Sequence, residues 1–223
     1  MTGMINRHNV PLEVQHVAET LAQAGYEAYL VGGCVRDLAL NKTPKDWDLT
    51  TNAKPEEIQA VFGEEETFCN NDYGTVGVVN ENIEDERLKV VEVTPYRSES
   101  GYSDARRPDH VEFGVSLEED LKRRDFTVNA IAFNVTTEET VDLFDGLNDI
   151  IKKRLVTVGN PDERFGEDAL RMMRAVRLAT ELNFAIESAT MASIIANNAL
   201  LERISIERIA EEFTKIINSE SPM

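Results

Sequence analysis

A chain of 223 residues, 42% of them hydrophobic and 29% charged, has the composition of a soluble globular protein long enough to bury a core without disulfide staples. No apolar run reaches the ~18 residues of a membrane span, and Met1 to Pro11 lacks the apolar stretch of a secretory signal. With 23 Lys and Arg against 41 Asp and Glu the formal charge is −18, which excludes a nucleic-acid binder that is basic overall; any polyanion must meet a local patch or a metal.

Leu12 to Ala24 places Val14, Val17, Leu21 and Ala24 at helical spacing and closes on Gly25, which predicts an amphipathic helix. Tyr26 to Val31 reads as a short strand, Gly32-Gly33 as a tight turn, and Cys34 to Leu40 as a second helix stopped before Pro44. Trp47 to Thr50 is strand-like, and Pro55 to Phe62 is a helix with proline in its first turn. The β-branched runs Thr75 to Val79 and Leu88 to Thr94 predict strands. Leu117 to Arg123 predicts a helix, Val128 to Asn134 fits either a helix or a strand, and Val141 to Phe144 fits a short strand. From Asp162 the pattern is helical, over roughly 164–182, 188–199 and 205–217. A mixed α/β portion, residues 1–150, is thus expected before an all-α portion, residues 151–223.

Charge is unevenly placed. Thirteen of the 23 basic residues fall in two short stretches: Arg97, Arg106, Arg107, Lys122, Arg123 and Arg124, then Lys152, Lys153, Arg154, Arg164, Arg171, Arg174 and Arg177. A phosphate-handling surface is expected there. Asp46 and Asp48, two apart in a strand, present their carboxylates to one side. Such a pair repels itself unless a cation sits between, and Mg²⁺ suits it because that ion takes carboxylate oxygen and keeps sites open for substrate phosphate. The Gly32-Gly33 turn opens a helix whose amide groups suit a phosphate, with Arg36 one turn on. Glu92, an acid inside the β-branched run Val90 to Thr94, supplies a third carboxylate. Together the three acids make the set of a two-metal phosphoryl-transfer site. His8, His16 and His110 have no ligand spacing, and neither Cys34 nor Cys69 belongs to a nucleophilic triad, a disulfide framework or a zinc motif, which suits a reducing cytoplasm.

Four ordered blocks resemble the class II tRNA nucleotidyltransferases, the bacterial CCA-adding enzymes, and their relatives the bacterial poly(A) polymerases. They are Leu30 to Asp48, Arg123 to Ala130, Leu143 to Gly146 with the arm to Pro161, and Arg164 to Arg177. The resemblance implies a polymerase-β-like catalytic head, a mixed sheet with flanking helices, followed by an all-α neck that holds the nucleotide base. It implies Mg²⁺ ligands at Asp46 and Asp48 with Glu92 as the third acid, and triphosphate and sugar contacts at Gly33, Arg36 and Arg124. It places a base-reading pair at Asp168 and Arg171, with Arg174 and Arg177 completing the nucleotide pocket. Trp47 between the two acids, Asn41 in place of a common glycine and Gly166 in place of a polar residue depart from the pattern without removing a functional group.

Asp168 and Arg171, three apart on the predicted helix, are neighbours on one face. Asp only accepts hydrogen bonds and Arg only donates, which matches the amine and ring nitrogen shared by cytosine and adenine and mismatches uracil and guanine. Arg177, nine positions on, would face the opposite side, so only the resemblance puts it in the pocket. Tyr96 to Phe113, with Gly101 to Asp109 at its centre, is expected to be a mobile loop of the kind full CCA-adding enzymes use when switching from C to A.

The expected activity is addition of CMP and AMP to the tRNA 3′ end from CTP and ATP, with release of pyrophosphate. The partners expected are the tRNA 3′ end and the two nucleotides, with no membrane and no obligate protein partner. Poly(A) addition, A-only addition and a non-catalytic nucleotide- or RNA-binding module are the alternatives. Tyr73 to Val79 resembles the CCA-adding version, and no Gly- and Arg/Lys-rich run follows the Asp46–Asp48 block, which argues against poly(A) addition. The resemblance also implies tRNA-clamping body and tail domains beyond Met223.

Overall fold

The computed structural model describes residues 5–69, 73–102 and 108–219. Helix α1 (Leu12–Gln23) turns Val14, Val17, Ala18 and Leu21 inward, as its spacing predicts. It leads to strand β1 (Ala28–Val31), and the Gly32 turn feeds α2 (Gly33–Ala39), which buries Cys34, Val35, Leu38 and Ala39. Then come β2 (Asp48–Thr51), α3 (Pro55–Phe62), β3 (Thr67–Cys69), β4 (Val76–Val79) and β5 (Val90–Pro95). Strands β6 (Arg97–Ser100) and β7 (His110–Phe113) form a hairpin of their own, followed by α4 (Leu117–Lys122). A 3-10 turn, Thr127–Asn129, precedes β8 (Ile131–Phe133), β9 (Thr140–Asp142) and α5 (Gly146–Ile151). The chain ends with β10 (Arg154–Leu155), α6 (Pro161–Glu167), α7 (Leu170–Leu182), β11 (Ala185–Ile186), α8 (Ser188–Asn197) and α9 (Ile206–Ile217).

The main sheet has seven strands in the order β3-β4-β5-β2-β1-β8-β9. Only β2 and β5 run parallel; the other neighbours are antiparallel. This is the mixed sheet with flanking helices that the resemblance implies. Its middle strand is β2, so Asp48 enters at the centre of the fold, directly opposite Glu92 in the parallel register. Strand β5 alternates, burying Val91 and Val93 while Glu92 faces the other side. The hydrophobic core gathers residues of α1, α2 and α3 on the sheet and extends to Ala175, Leu178 and Phe184. A second cluster, Phe165, Ala169, Leu170, Met172 and Ile204, holds the helical end together. Helix α7 therefore packs into both cores.

Three expectations need correction. The helix predicted over 164–182 is two helices, because Asp168 takes an extended backbone (φ −139°, ψ 106°) and its Oδ1 accepts a bond from the amide of Leu170, the first residue of α7. A short acidic side chain that satisfies the next helix's amide competes with helix continuation. The segment expected as a loop over 96–113 is largely the β6–β7 hairpin, with Arg97 opposite Phe113 and Ser100 opposite His110. Its tip, residues 103–107 and hence Arg106 and Arg107, lies outside the described residues. The all-helical last third also carries a two-strand parallel ladder, Arg154 with Ala185 and Leu155 with Ile186. At α5, a Cβ on Gly146 would stand 2.2 Å from the Thr127 carbonyl oxygen, a close approach that only glycine permits.

Candidate active site

Trp47 is buried between Asp46 and Asp48, so the two acids share the outward side although Asp46 precedes the strand rather than lying in it. Burial pushes the Asp48 carboxyl up to about 7, the charges of Asp46 and Glu92 push the same way, and Arg124 opposes them. The three carboxylates therefore share one electrostatic site. Oxygen donors that repel one another and hold a proton near neutrality suit a hard divalent cation in the proton's place. As the side chains stand, no three acidic, histidine or cysteine groups among the described residues are gathered at ligand distance.

Gly32 has φ +82° and ψ −135°, a conformation side chains rarely adopt. A Cβ there would lie 3.4 Å from Arg124 Nη1 and 3.9 Å from Asp48 Oδ2, so the turn, the arginine and the central acid meet at one point. Arg124 donates through Nη2 to Asp120 Oδ2 at 3.1 Å, while its Nε is buried without a partner. Asp120 is wholly buried; burial alone would raise its carboxyl, but Arg124 and Arg123 outweigh that and hold it below the usual carboxylate range. Arg36 donates from Nε and Nη2 to Asp37 Oδ1 at 2.9 and 2.8 Å, and from Nη1 to Asn129 Oδ1 at 2.8 Å. Its guanidinium is oriented before any ligand arrives.

A cavity of about 320 Å³ lies between the hairpin and the helical end, lined by Tyr73, Arg97, Tyr102, Asp168, Arg171 and Arg208 among others. Asp168 and Arg171 both reach it, through the helix break rather than along one helix face. Asp168 Oδ2 accepts from Arg208 Nη2 at 3.0 Å, and Arg208 Nη1 is buried without a partner. Arg171 pairs with Glu167 and donates to the Arg164 and Arg123 carbonyls at 3.2 and 3.4 Å. The hairpin side is tied by Glu99, which accepts from Arg97, Arg123 and Tyr102. The Arg97 guanidinium lies 5.3 Å from the centre of the Tyr73 ring and bonds the Tyr73 carbonyl.

Arg174 and Arg177 do not line this cavity. Arg174 donates twice to Asp125 Oδ2, at 2.9 and 2.6 Å; Arg177 donates to Glu212 at 2.6 Å and to Glu181 at 2.9 Å. Arg208 and Tyr73 are cavity residues that sequence reasoning missed, and Arg97 was expected only as part of a basic, phosphate-handling stretch. Arg208 meets Asp168 across 40 positions, and nothing local to the Ser205–Arg208 helix start signals that meeting.

Residues 28–156 match the family described as "Poly A polymerase head domain", and residues 183–223 the one described as "Probable RNA and SrmB- binding site of polymerase A". The chain belongs to the poly(A) polymerase head-domain family. Among curated relatives of this family member, the CCA-adding enzyme of Limosilactobacillus reuteri is 48% identical over 207 residues, covering 93% of this chain and 49% of that protein. The crystal structure of the Bacillus stearothermophilus CCA-adding enzyme in complex with CTP matches with a TM-score of 0.82 and 40% identity, covering 95% of this chain and 50% of that one. A tRNA nucleotidyltransferase complexed with a primer tRNA and an incoming ATP analog matches with a TM-score of 0.73 and 27% identity, over 92% of this chain and 56% of that one. The chain thus spans about half the length of the relatives it matches. No helix among the described residues is long and apolar enough to cross a membrane.

Proposed function

We propose that this chain is the catalytic and base-reading portion of a CCA-adding enzyme, which transfers CMP and AMP from CTP and ATP to the tRNA 3′ end in a reducing cytoplasm and releases pyrophosphate. The carrying observation is the Arg124 guanidinium beside Gly32 and Asp48 with Nε buried and unpartnered, since a buried donor left unpaired calls for an acceptor such as phosphate oxygen. The family name alone would also fit a poly(A) polymerase. The Limosilactobacillus reuteri relative and the Bacillus stearothermophilus structure cited above both carry the name CCA-adding enzyme, which favours the former.

In this reading Asp46 and Asp48 hold Mg²⁺, with Glu92 beside them. Mg²⁺ held there would supply positive charge beside the triphosphate and the attacking 3′-hydroxyl. The chain's own residues do the rest. Arg36 and Arg124 neutralise the triphosphate, and the Gly32-Gly33 turn leaves backbone room for it. Asp168 and Arg171 read the base. An ionised carboxylate accepts about four bonds, so two donors already on Asp168, Leu170 N–H and Arg208, leave room for an exocyclic amine. Cytosine and adenine supply that amine beside an acceptor nitrogen that Arg171 can serve; uracil and guanine present the opposite order. Titration calorimetry with Mg²⁺ is expected to give CTP and ATP at least tenfold tighter than UTP and GTP, a cautious figure for buried polar groups left unpaired. Equal affinity for all four nucleotides would overturn the base-reading assignment.

A further inference from the structure

Arg174 lies outside the base-reading cavity, yet it is held as firmly as any side chain near it. Its two bonds to Asp125 Oδ2 carry the first link of a buried chain. Asp125 Oδ1 accepts from Asn129 Nδ2 at 3.3 Å, and Asn129 Oδ1 accepts from Arg36 Nη1 at 2.8 Å. Asp125 and Asn129 are both buried. The chain runs from α7, which carries Arg171, to α2, which carries Arg36. The chemistry restricts the linker: Arg36 can only donate and Asp125 can only accept, so the group between them must both accept and donate. A primary amide does both. Leucine would do neither, and a carboxylate would add a second buried acid beside Asp125.

We propose that Asn129, with Asp125 and Arg174, is a positioning relay that sets the Arg36 guanidinium for the triphosphate according to the seat of α7. The inference rests on the nucleotide reading given above. Base reading and phosphate grip are then one mechanical unit: a shift of α7 that spoils the fit of a base also turns Arg36 away from its phosphate. A wrong nucleotide is penalised at the phosphates as well as at the base.

Inorganic tripolyphosphate with Mg²⁺ tests this, because it has no base to engage Asp168 and Arg171. Calorimetric titration of the wild-type chain is compared with Asn129→Ala and Arg174→Lys, the latter keeping a cation beside Asp125 so that the fold survives. Each variant is expected to bind tripolyphosphate about ten- to a hundredfold more weakly, the worth of one hydrogen bond to a charged group. The double variant is expected to fall no further than the weaker single one, within about twofold, since both break the same chain. Unchanged binding in Arg174→Lys, or losses that multiply in the double variant, would overturn the relay. Those results leave the nucleotide reading standing if the wild type still binds CTP. A wild type that binds neither tripolyphosphate nor CTP overturns both.

Discussion

Asp48→Asn is expected to abolish nucleotide incorporation and, at the same time, to raise the thermal midpoint of the metal-free protein above pH 7. The two halves have one cause. Asp48 opens the middle strand of the sheet, opposite Glu92 and near Asp46, and its carboxyl is pushed up from 3.8 to about 7 by burial and by those two charges. A carboxyl with a raised folded value contributes stability when protonated. That contribution is complete below its ordinary value of 3.8 and is lost as pH rises through about 7. The metal-free wild type is therefore expected to melt at falling temperatures between about pH 4 and 8, and the neutral amide is expected to flatten that slope. Mg²⁺ reverses the sign for the wild type, since it binds the ionised form and stabilises it. The amide loses that ligand charge, and incorporation is expected to fall on the order of a thousandfold or more, the equivalent of several kcal/mol of charge stabilisation. Melting curves across pH, with and without Mg²⁺, read the first half, and single-turnover incorporation reads the second. An active Asp48→Asn protein would remove the metal assignment; a pH slope unchanged by the substitution would remove the electrostatic account of the site.

The second large effect is expected at Arg171. Replacing it by alanine removes the donor proposed to meet the ring nitrogen of cytosine or adenine while leaving Asp168 in place. Glu167 keeps its ion pair with Arg164, so no acid is stranded by the change. The preference for CTP and ATP over UTP and GTP, taken as a ratio of kcat/KM, is expected to shrink by about a hundredfold, in the range that unpaired polar groups impose on a mismatched substrate. Incorporation of all four nucleotides, each tested alone, checks it. Preserved selectivity would mean that the base is read elsewhere in the cavity.

Arg208 bears on base reading indirectly. Its bond to Asp168 crosses from α9 and fixes the carboxylate proposed to accept the amine, and this is the kind of contact that no local spacing reveals. Much of the fold was legible because it is locally encoded. Pro55–Phe62 forms as predicted, with proline in its first turn, and Gly32 takes the positive φ that the Gly-Gly turn requires. The alternation that separates Asp46 and Asp48 from Trp47 was legible too. What was not legible leaves little trace in apolar periodicity. The β6–β7 hairpin sits outside the main sheet, and strands with little apolar patterning give a weak period-2 signal. The break at Asp168 looks helical in composition, and its cause is a side-chain bond to the Leu170 amide.

The net charge of −18 also takes on a different meaning. The basic stretches are not a bare phosphate surface. Arg97 and Arg123 are tied to Glu99, Arg123 and Arg124 to Asp120, Arg164 and Arg171 to Glu167, Arg174 to Asp125 and Arg177 to Glu212. Acid is used here to aim arginines rather than to repel RNA. A guanidinium held by a buried carboxylate keeps fixed N–H directions, so a substrate phosphate or base meets an oriented donor instead of a mobile charge.

The most direct measurement is extension of a tRNA that lacks its 3′ CCA by the wild-type chain, in excess over the RNA with Mg²⁺, resolved to single nucleotides. CTP alone is expected to add C residues and stop, CTP with ATP to complete CCA, and UTP or GTP to add nothing. Long adenosine tracts from ATP on any RNA end, or no extension by a chain that binds CTP, would contradict the assignment of this site to CCA addition.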